Sequence, residues 1–245
     1  LKNIDIPEEV QNKLQIIVMD SIGLMASAKK EPYVVSLINA LKENGNCILV
    51  GHEYKTSPFN ASIINGTSVH GEDFDDTFEG TPVHVGAVMV PAMLSAVQAN
   101  NLSGPEFLRG LAIGSELICR LALVAPTAVH RQGFHPTAIF GAFGSSIGIS
   151  SVIGSDIKQM SSALGVVGSM ASGIIEYLAE GTSTKRLHPG WAAGCGYQSA
   201  NIAKSGFIGP RTVFEGKHGA FSSFAKDTIE PDFSHITDQL GSRWN

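Results

Sequence analysis

The sequence predicts an all-α protein, and three observations carry that reading. Val10, Leu14, Ile17, Val18, Ile22 and Met25 recur at the three- and four-residue spacing of one helix face. Helix-start signals, a Ser or Asp cap or a proline at the first position, punctuate the chain at intervals suited to a bundle. No alternation of strands with helices supports a parallel sheet. Neither a repeat of fixed period nor a low-complexity segment interrupts the pattern.

In order, the spacing predicts a helix over 7–28 and a shorter one over 33–43. Residues 47–50 suit either a brief strand or an extended connector before Gly51. Ser57-Pro58 is a cap followed by a first-turn proline and opens a helix toward Gly71, which ends near Asp73-Phe74-Asp75-Asp76. Thr81-Pro82 predicts a helix to about Asn100. Ser103 with Glu106 three residues on is a capping-box pattern, starting a helix to about Val124. After a loop around Pro126, helices are expected from Pro136, over 156–179 and over 189–205. Gly206, Gly209, Pro210, Gly216 and Gly219 then mark a turn-rich stretch, with one short helical segment at most before Asn245.

Composition narrows the function classes. At 245 residues the chain can be one large domain or two small ones. A net charge of −5 without any dense Lys/Arg cluster argues against a nucleic-acid surface. Charged residues make up 16%, below the roughly 25% of an average soluble domain. That deficit suggests additional buried surface, most simply a large subunit interface. Cys47, Cys119 and Cys195 are scattered and form no C-x-x-C pair, so they are expected to be reduced, buried thiols rather than cluster ligands. Lys2, Asp5, Glu8 and Glu9 interrupt any signal peptide, which points to the cytoplasm, or to the mitochondrial matrix if a leader preceded Leu1. The stretch 136–155 carries no charge, but Gly141, Gly144, Ser145, Ser146 and Gly148 make it a buried bundle helix rather than a membrane span.

Three histidines sit beside prolines that open helices in this reading: Pro82-Val83-His84, His135-Pro136 and His188-Pro189. Helix N-termini attract anions and bias a nearby imidazole toward its neutral form. Converging in the fold, these ends would form a pocket for an acidic small molecule. Each histidine alone also suits an ordinary structural position. Asp73, Asp75 and Asp76 lie where a helix ends, which costs up to about 1 kcal/mol per carboxylate. Asp73 and Thr77 would share a face if that helix continued, and together would orient a ligand or a histidine. A solvated acidic turn is the plain alternative; a carboxylate metal site with His70 and His84 is the third. Lys185 and Arg186 are a cationic pair that either holds a substrate carboxylate or decorates the surface. No G-x-S-x-G, G-x-x-x-x-G-K-[ST] or G-x-G-x-x-G motif is present, which removes serine hydrolysis and nucleotide binding.

The segments His70-Gly71-Glu72-Asp73-Phe74-Asp75-Asp76-Thr77, Gly133-Phe134-His135-Pro136-Thr137, Lys185-Arg186-Leu187-His188-Pro189-Gly190-Trp191 and Gly206-Phe207-Ile208-Gly209-Pro210 resemble signature segments of the MmgE/PrpD family, in the same order. Resemblance to this family implies a large helical domain over 1–245, a homodimer built through it, and no cofactor or metal. It also implies lyase or isomerase chemistry on a small di- or tricarboxylate, as in 2-methylcitrate dehydratase, cis-aconitate decarboxylase and iminodisuccinate epimerase. By motif it implies catalytic roles for Asp73, Thr77, His84 and His135, and a substrate-binding role for Lys185, with Arg186 and His188 beside it. The stretch 76–84 is more similar to generic or epimerase-type members than to the decarboxylase. In the family a segment like Leu240 to Trp244 leads into a smaller α+β lid domain. Since this chain stops at Asn245, it is expected to be the helical half, with little activity alone. A non-catalytic helical dimerisation module is the competing expectation.

Overall fold

The computed structural model describes residues 5–226 and 229–245. Its helices are α1 (Glu8–Ser27), α2 (Pro32–Ala40), α3 (Pro58–His70), α4 (Gly86–Asn100), α5 (Gly104–Val124), α6 (Ala128–Arg131), α7 (Pro136–Val152), α8 (Ile157–Gly168), α9 (Tyr177–Glu180), α10 (Thr184–Lys204), α11 (Ala220–Phe224) and α12 (Ser234–Thr237). The brief strand expected near Cys47 is β1 (Cys47–Ile48), paired antiparallel with β2 (Lys55–Thr56) in the register Cys47 to Thr56. The protein is all-α in class.

At the centre lies α7, packed against α4, α5, α8 and α10. Every residue from Pro136 to Ser151 on it is buried, which explains why its sequence is apolar or small all round and shows no helical stripe. No helix among the described residues is long and apolar enough to cross a membrane. Met89 and Met93 of α4, Leu111, Ile118 and Leu121 of α5, and Ile139 and Phe143 of α7 fill the main core. Small residues set the helix spacing. A Cβ on Gly66 of α3 would lie 2.5 Å from the Cα of Gly190 on α10, so these two backbones touch. That crossing brings the end of α3 to the start of α10.

Local signals work where the chain is free to follow them. Ser57 caps α3, accepting from the Asn60 N–H, and Ser103 and Glu106 complete the expected capping box of α5. Cys47, Cys119 and Cys195 are free and buried. Tertiary contacts override the local signals elsewhere. The helix expected from Pro82 begins at Gly86, because Asp76 Oδ1 accepts the Gly86 N–H at 2.9 Å while Phe78 N–H donates to Val83 O at 2.9 Å and curls the preceding loop. Proline 189 lies inside α10 rather than at its start: it sits near the helix N-terminus and removes only one bond there. The helix expected over 156–179 stops at Gly168, because the chain beyond it is drawn to the segment before α7. His135 N–H donates to Gly173 O at 2.9 Å and Ile175 N–H to Gly133 O at 3.0 Å. Among the described residues the tail holds two short helices where one at most was expected. It is pinned by buried Arg120, which donates to the carbonyls of His235 (2.8 Å), Asp238 (2.8 Å) and Arg243 (3.0 Å) while pairing with Glu116 at 2.6 Å.

Candidate active site

Four imidazoles from four parts of the chain meet in one cluster. His70 ends α3, His84 lies two residues before α4, His135 is the cap residue of α7, and His188 sits in the second turn of α10. Ring centroids are 4.6 Å apart for His70 and His84, 5.6 Å for His70 and His135, and 5.3 Å for His135 and His188. Only His135 of the three proline-linked histidines occupies a helix N-terminus; His84 precedes one and His188 lies inside its helix. Convergence comes from the packing of α3, α4, α7 and α10, with the His84 N–H donating to Thr137 Oγ1 in the first turn of α7 at 3.1 Å.

The carboxylate at the centre is Asp75. Its Oδ2 lies 2.8 Å from His70 Nδ1 and 3.3 Å from His84 Nδ1, and its side chain is fully buried. Burial opposes its charge, but hydrogen bonds and attraction from both imidazoles outweigh that and hold its carboxyl well below the usual carboxylate range. An ionised carboxylate only accepts, so His70 carries its proton on Nδ1. Asp75 Oδ1 and His70 Nε2 are buried without a partner, an arrangement that costs about 1–3 kcal/mol for each such atom. The expected pairing of Asp73 with Thr77 on one helix face is not formed, because α3 ends at His70 and Asp73 takes a left-handed conformation (φ 56°) that turns Asp75 back to the cluster.

Asp73 is exposed and pairs with Lys185 in the first turn of α10. Arg186 donates through Nε to Gly71 O at 2.7 Å, and its guanidinium lies over the Tyr33 ring at 5.0 Å from the centroid. It therefore clamps the turn that carries Asp73. Thr77 Oγ1 lies 3.4 Å from His84 Nδ1. His188 is buried and shares a hydrogen bond with His135, Nδ1 to Nδ1 at 3.2 Å, so one of the two rings donates and the other accepts.

Environment sorts the four rings. Burial lowers His70, His135 and His188, and neighbouring imidazoles deepen the effect on His135, which falls well below its ordinary value; His188 is pushed down to about 4. His84 differs. Burial opposes its charge too, but the hydrogen bond and charge of Asp75 prevail and raise it. Asp76, on the other side of the segment, is pushed up by burial to about 6. His70 Nδ1, Asp75 Oδ2 and His84 Nδ1 lie within 4.8 Å of one another, the closest approach to a metal triad among the described residues. His70 Nδ1 bonds Asp75 Oδ2 at 2.8 Å, and His84 Nδ1 lies 3.3 Å from the same oxygen, so the two rings flank one carboxylate. Sequence reasoning gave His70 and Asp75 no part except as metal ligands. It missed Tyr177, whose ring packs edge-on against His135 at 6.2 Å and His188 at 5.7 Å. A carboxylate five residues after a helix-terminal histidine was the available signal for the first two; nothing local marks Tyr177.

The MmgE/PrpD N-terminal domain, as a family pattern, matches residues 1–232. This chain belongs to the MmgE/PrpD family. Among curated relatives of this MmgE/PrpD chain, a cis-aconitate decarboxylase-like protein oryM of Aspergillus oryzae is 26% identical over 259 residues, covering 100% of this chain and 54% of the relative. Cis-aconitate decarboxylase of Aspergillus terreus is 24% identical, covering 98% and 52%. The enzyme of the same name from Mus musculus is 30% identical over 75% of this chain and 39% of its own length. The chain thus spans about half the length of the Aspergillus relatives. These relatives carry a lyase name.

Proposed function

We propose that the histidine cluster binds a small di- or tricarboxylate and that the whole protein is a lyase of that substrate class, moving a proton at a carbon next to a carboxylate. The observation that carries this reading is the convergence of His84, His135 and the Lys185–Asp73 pair around the N-terminus of α7. Loss of a proton or of carbon dioxide next to a carboxylate leaves an enediolate-like charge, and fixed positive groups facing it lower the barrier. Lys185 supplies a point charge for one carboxylate, and the positive end of the α7 dipole favours another. His84, biased toward its charged form, and His135, held neutral, are an acid and a base sorted by environment. Thr77 steadies His84, Arg186 and Asp73 place Lys185, and His188 holds the His135 ring. Acid, base and cation all come from the chain, in keeping with the cofactor-free chemistry that the family resemblance implies.

The names of the relatives make cis-aconitate the first substrate to test. The loop 78–83, more similar to other family members, supports a second reading in which 2-methylcitrate is dehydrated or iminodisuccinate is epimerised. Incubating the full-length protein with each acid in D2O and following it by proton NMR separates these outcomes. One acid is expected to be consumed with solvent deuterium entering the product, and His135→Ala to slow this by about 10²–10⁴-fold. If none of the three is turned over and none perturbs the histidine resonances, the reading fails and a non-catalytic helical module takes its place.

A further inference from the structure

We propose that Asp75, braced by His70, is a positioning residue that holds His84 in its Nδ1–H tautomer and leaves Nε2 as the atom that exchanges the proton on the exposed side of the ring. The identity of the molecule on that side rests on the polycarboxylate reading; the tautomer does not.

Three observations converge on this assignment. First, the carboxylate is shared: one oxygen of fully buried, ionised Asp75 accepts from His70 Nδ1 at 2.8 Å and lies 3.3 Å from His84 Nδ1, which Thr77 Oγ1 also approaches at 3.4 Å. Neither ring can present Nδ1 to a substrate while that arrangement holds. Second, the two rings differ in access. The His70 side chain is fully buried and its Nε2 meets no partner, so it has no route to a ligand. The His84 side chain keeps 15% of its surface exposed, and its Nε2 is not among the buried, unpartnered atoms. The first ring is a brace and the second is the working group. Third, the backbone of His84 is fixed independently through Thr137 Oγ1 at 3.1 Å, so the only freedom left to its ring is rotation, and Asp75 stops it.

The groups that act electrostatically on His84 are Asp75 and Asp76 of its own segment and Lys185 of α10; His70 at the end of α3 and His135 at the start of α7 face it as neutral rings. Asp75 is the only one of these in direct contact with its Nδ1 that carries charge. Replacing that charge by a neutral amide removes the acceptor preference and the attraction together.

The test uses the chain labelled with ¹⁵N in its imidazoles, where nitrogen shifts and multiple-bond correlations distinguish Nδ1–H from Nε2–H rings without any substrate. In the wild type, His70 and His84 are expected as Nδ1–H tautomers at pH values where they are neutral. Asp75→Asn is expected to shift His84 toward the Nε2–H form and to lower its pKa by about 1–3 units. His70→Asn, whose amide can donate from the place of Nδ1, is expected to leave the His84 tautomer as it was. A wild-type His84 in the Nε2–H form overturns the assignment, even if Asp75→Asn does not fold. So does an Asp75→Asn protein whose His84 keeps its tautomer and pKa. Failure of substrate turnover would remove the proposed reaction and leave this result standing.

Discussion

At the residue scale the cluster has its acid sensitivity built in. His188 falls to about 4 and His135 lies well below 6.5 when folded, whereas both titrate near 6.5 when unfolded. Between these values the unfolded chain binds more protons, so acidification favours unfolding. The depressed Asp75 adds a loss only below its unfolded value near 3.8, and the raised His84 works in the opposite sense, stabilising the fold at low pH and fading as pH rises. His70 is lowered as well, whereas Asp76, raised to about 6, takes up its proton first in the folded state and so works in the same sense as His84. The His188 part is therefore read as a difference: denaturant unfolding should show the wild type losing roughly 2 kcal/mol relative to His188→Gln between pH 6.5 and 4.5. Identical profiles for the wild type and His188→Gln over that range would mean that the His135–His188 pair is more hydrated than its burial implies.

At the element scale the site depends on how closely α3 and α10 approach. Those helices cross through Gly66 and Gly190, and this contact carries His70 to within reach of the cluster that His188 completes. A methyl group on Gly66 would sit 2.5 Å from the Gly190 Cα and 2.8 Å from its N, both backbone atoms that cannot swing aside. Gly66→Ala is expected to destabilise the fold by about 1–3 kcal/mol and to broaden or shift the His70 and His188 resonances. Gly23 in α1 is the control, since nothing lies within 4 Å of a Cβ there. Gly23→Ala is expected to raise stability by about 0.5–1 kcal/mol without touching the site. Equal losses from both substitutions in thermal unfolding would show that helix propensity, not the crossing, sets the result.

At the scale of the whole molecule, the low share of charge agrees with the extent of burial, since α7 alone sinks an entire turn-by-turn cylinder of small residues. Exposed apolar side chains remain on several elements, among them Ile16 and Met19 of α1, and Ile157, Phe207 and Ile208 near the junction of α8 and α10. The homodimer that the family resemblance implies is a proposal for which sedimentation equilibrium is the measurement. A dimer at micromolar concentration is the expected outcome, and a monomer across that range would remove the subunit interface as the reason for the missing charge.

Much of this protein was legible in order along the chain. Caps at Ser57 and Ser103, the stripe of α1 and the charge-free run of α7 fix helices through interactions among near neighbours, which a sequence displays directly. The motifs around Asp73, His135 and Lys185 likewise marked segments that the fold brings near one another. What a sequence does not display is which carboxylate of Asp73, Asp75 and Asp76 turns inward, that His70 braces it, or that Tyr177 packs on the far imidazoles. Those facts were decided by the packing of four helices and by one left-handed residue at Asp73. The physical reason is range: caps and periodicity act over about one helical turn, whereas a buried carboxylate takes its partners from whatever the closed core brings within hydrogen-bond distance.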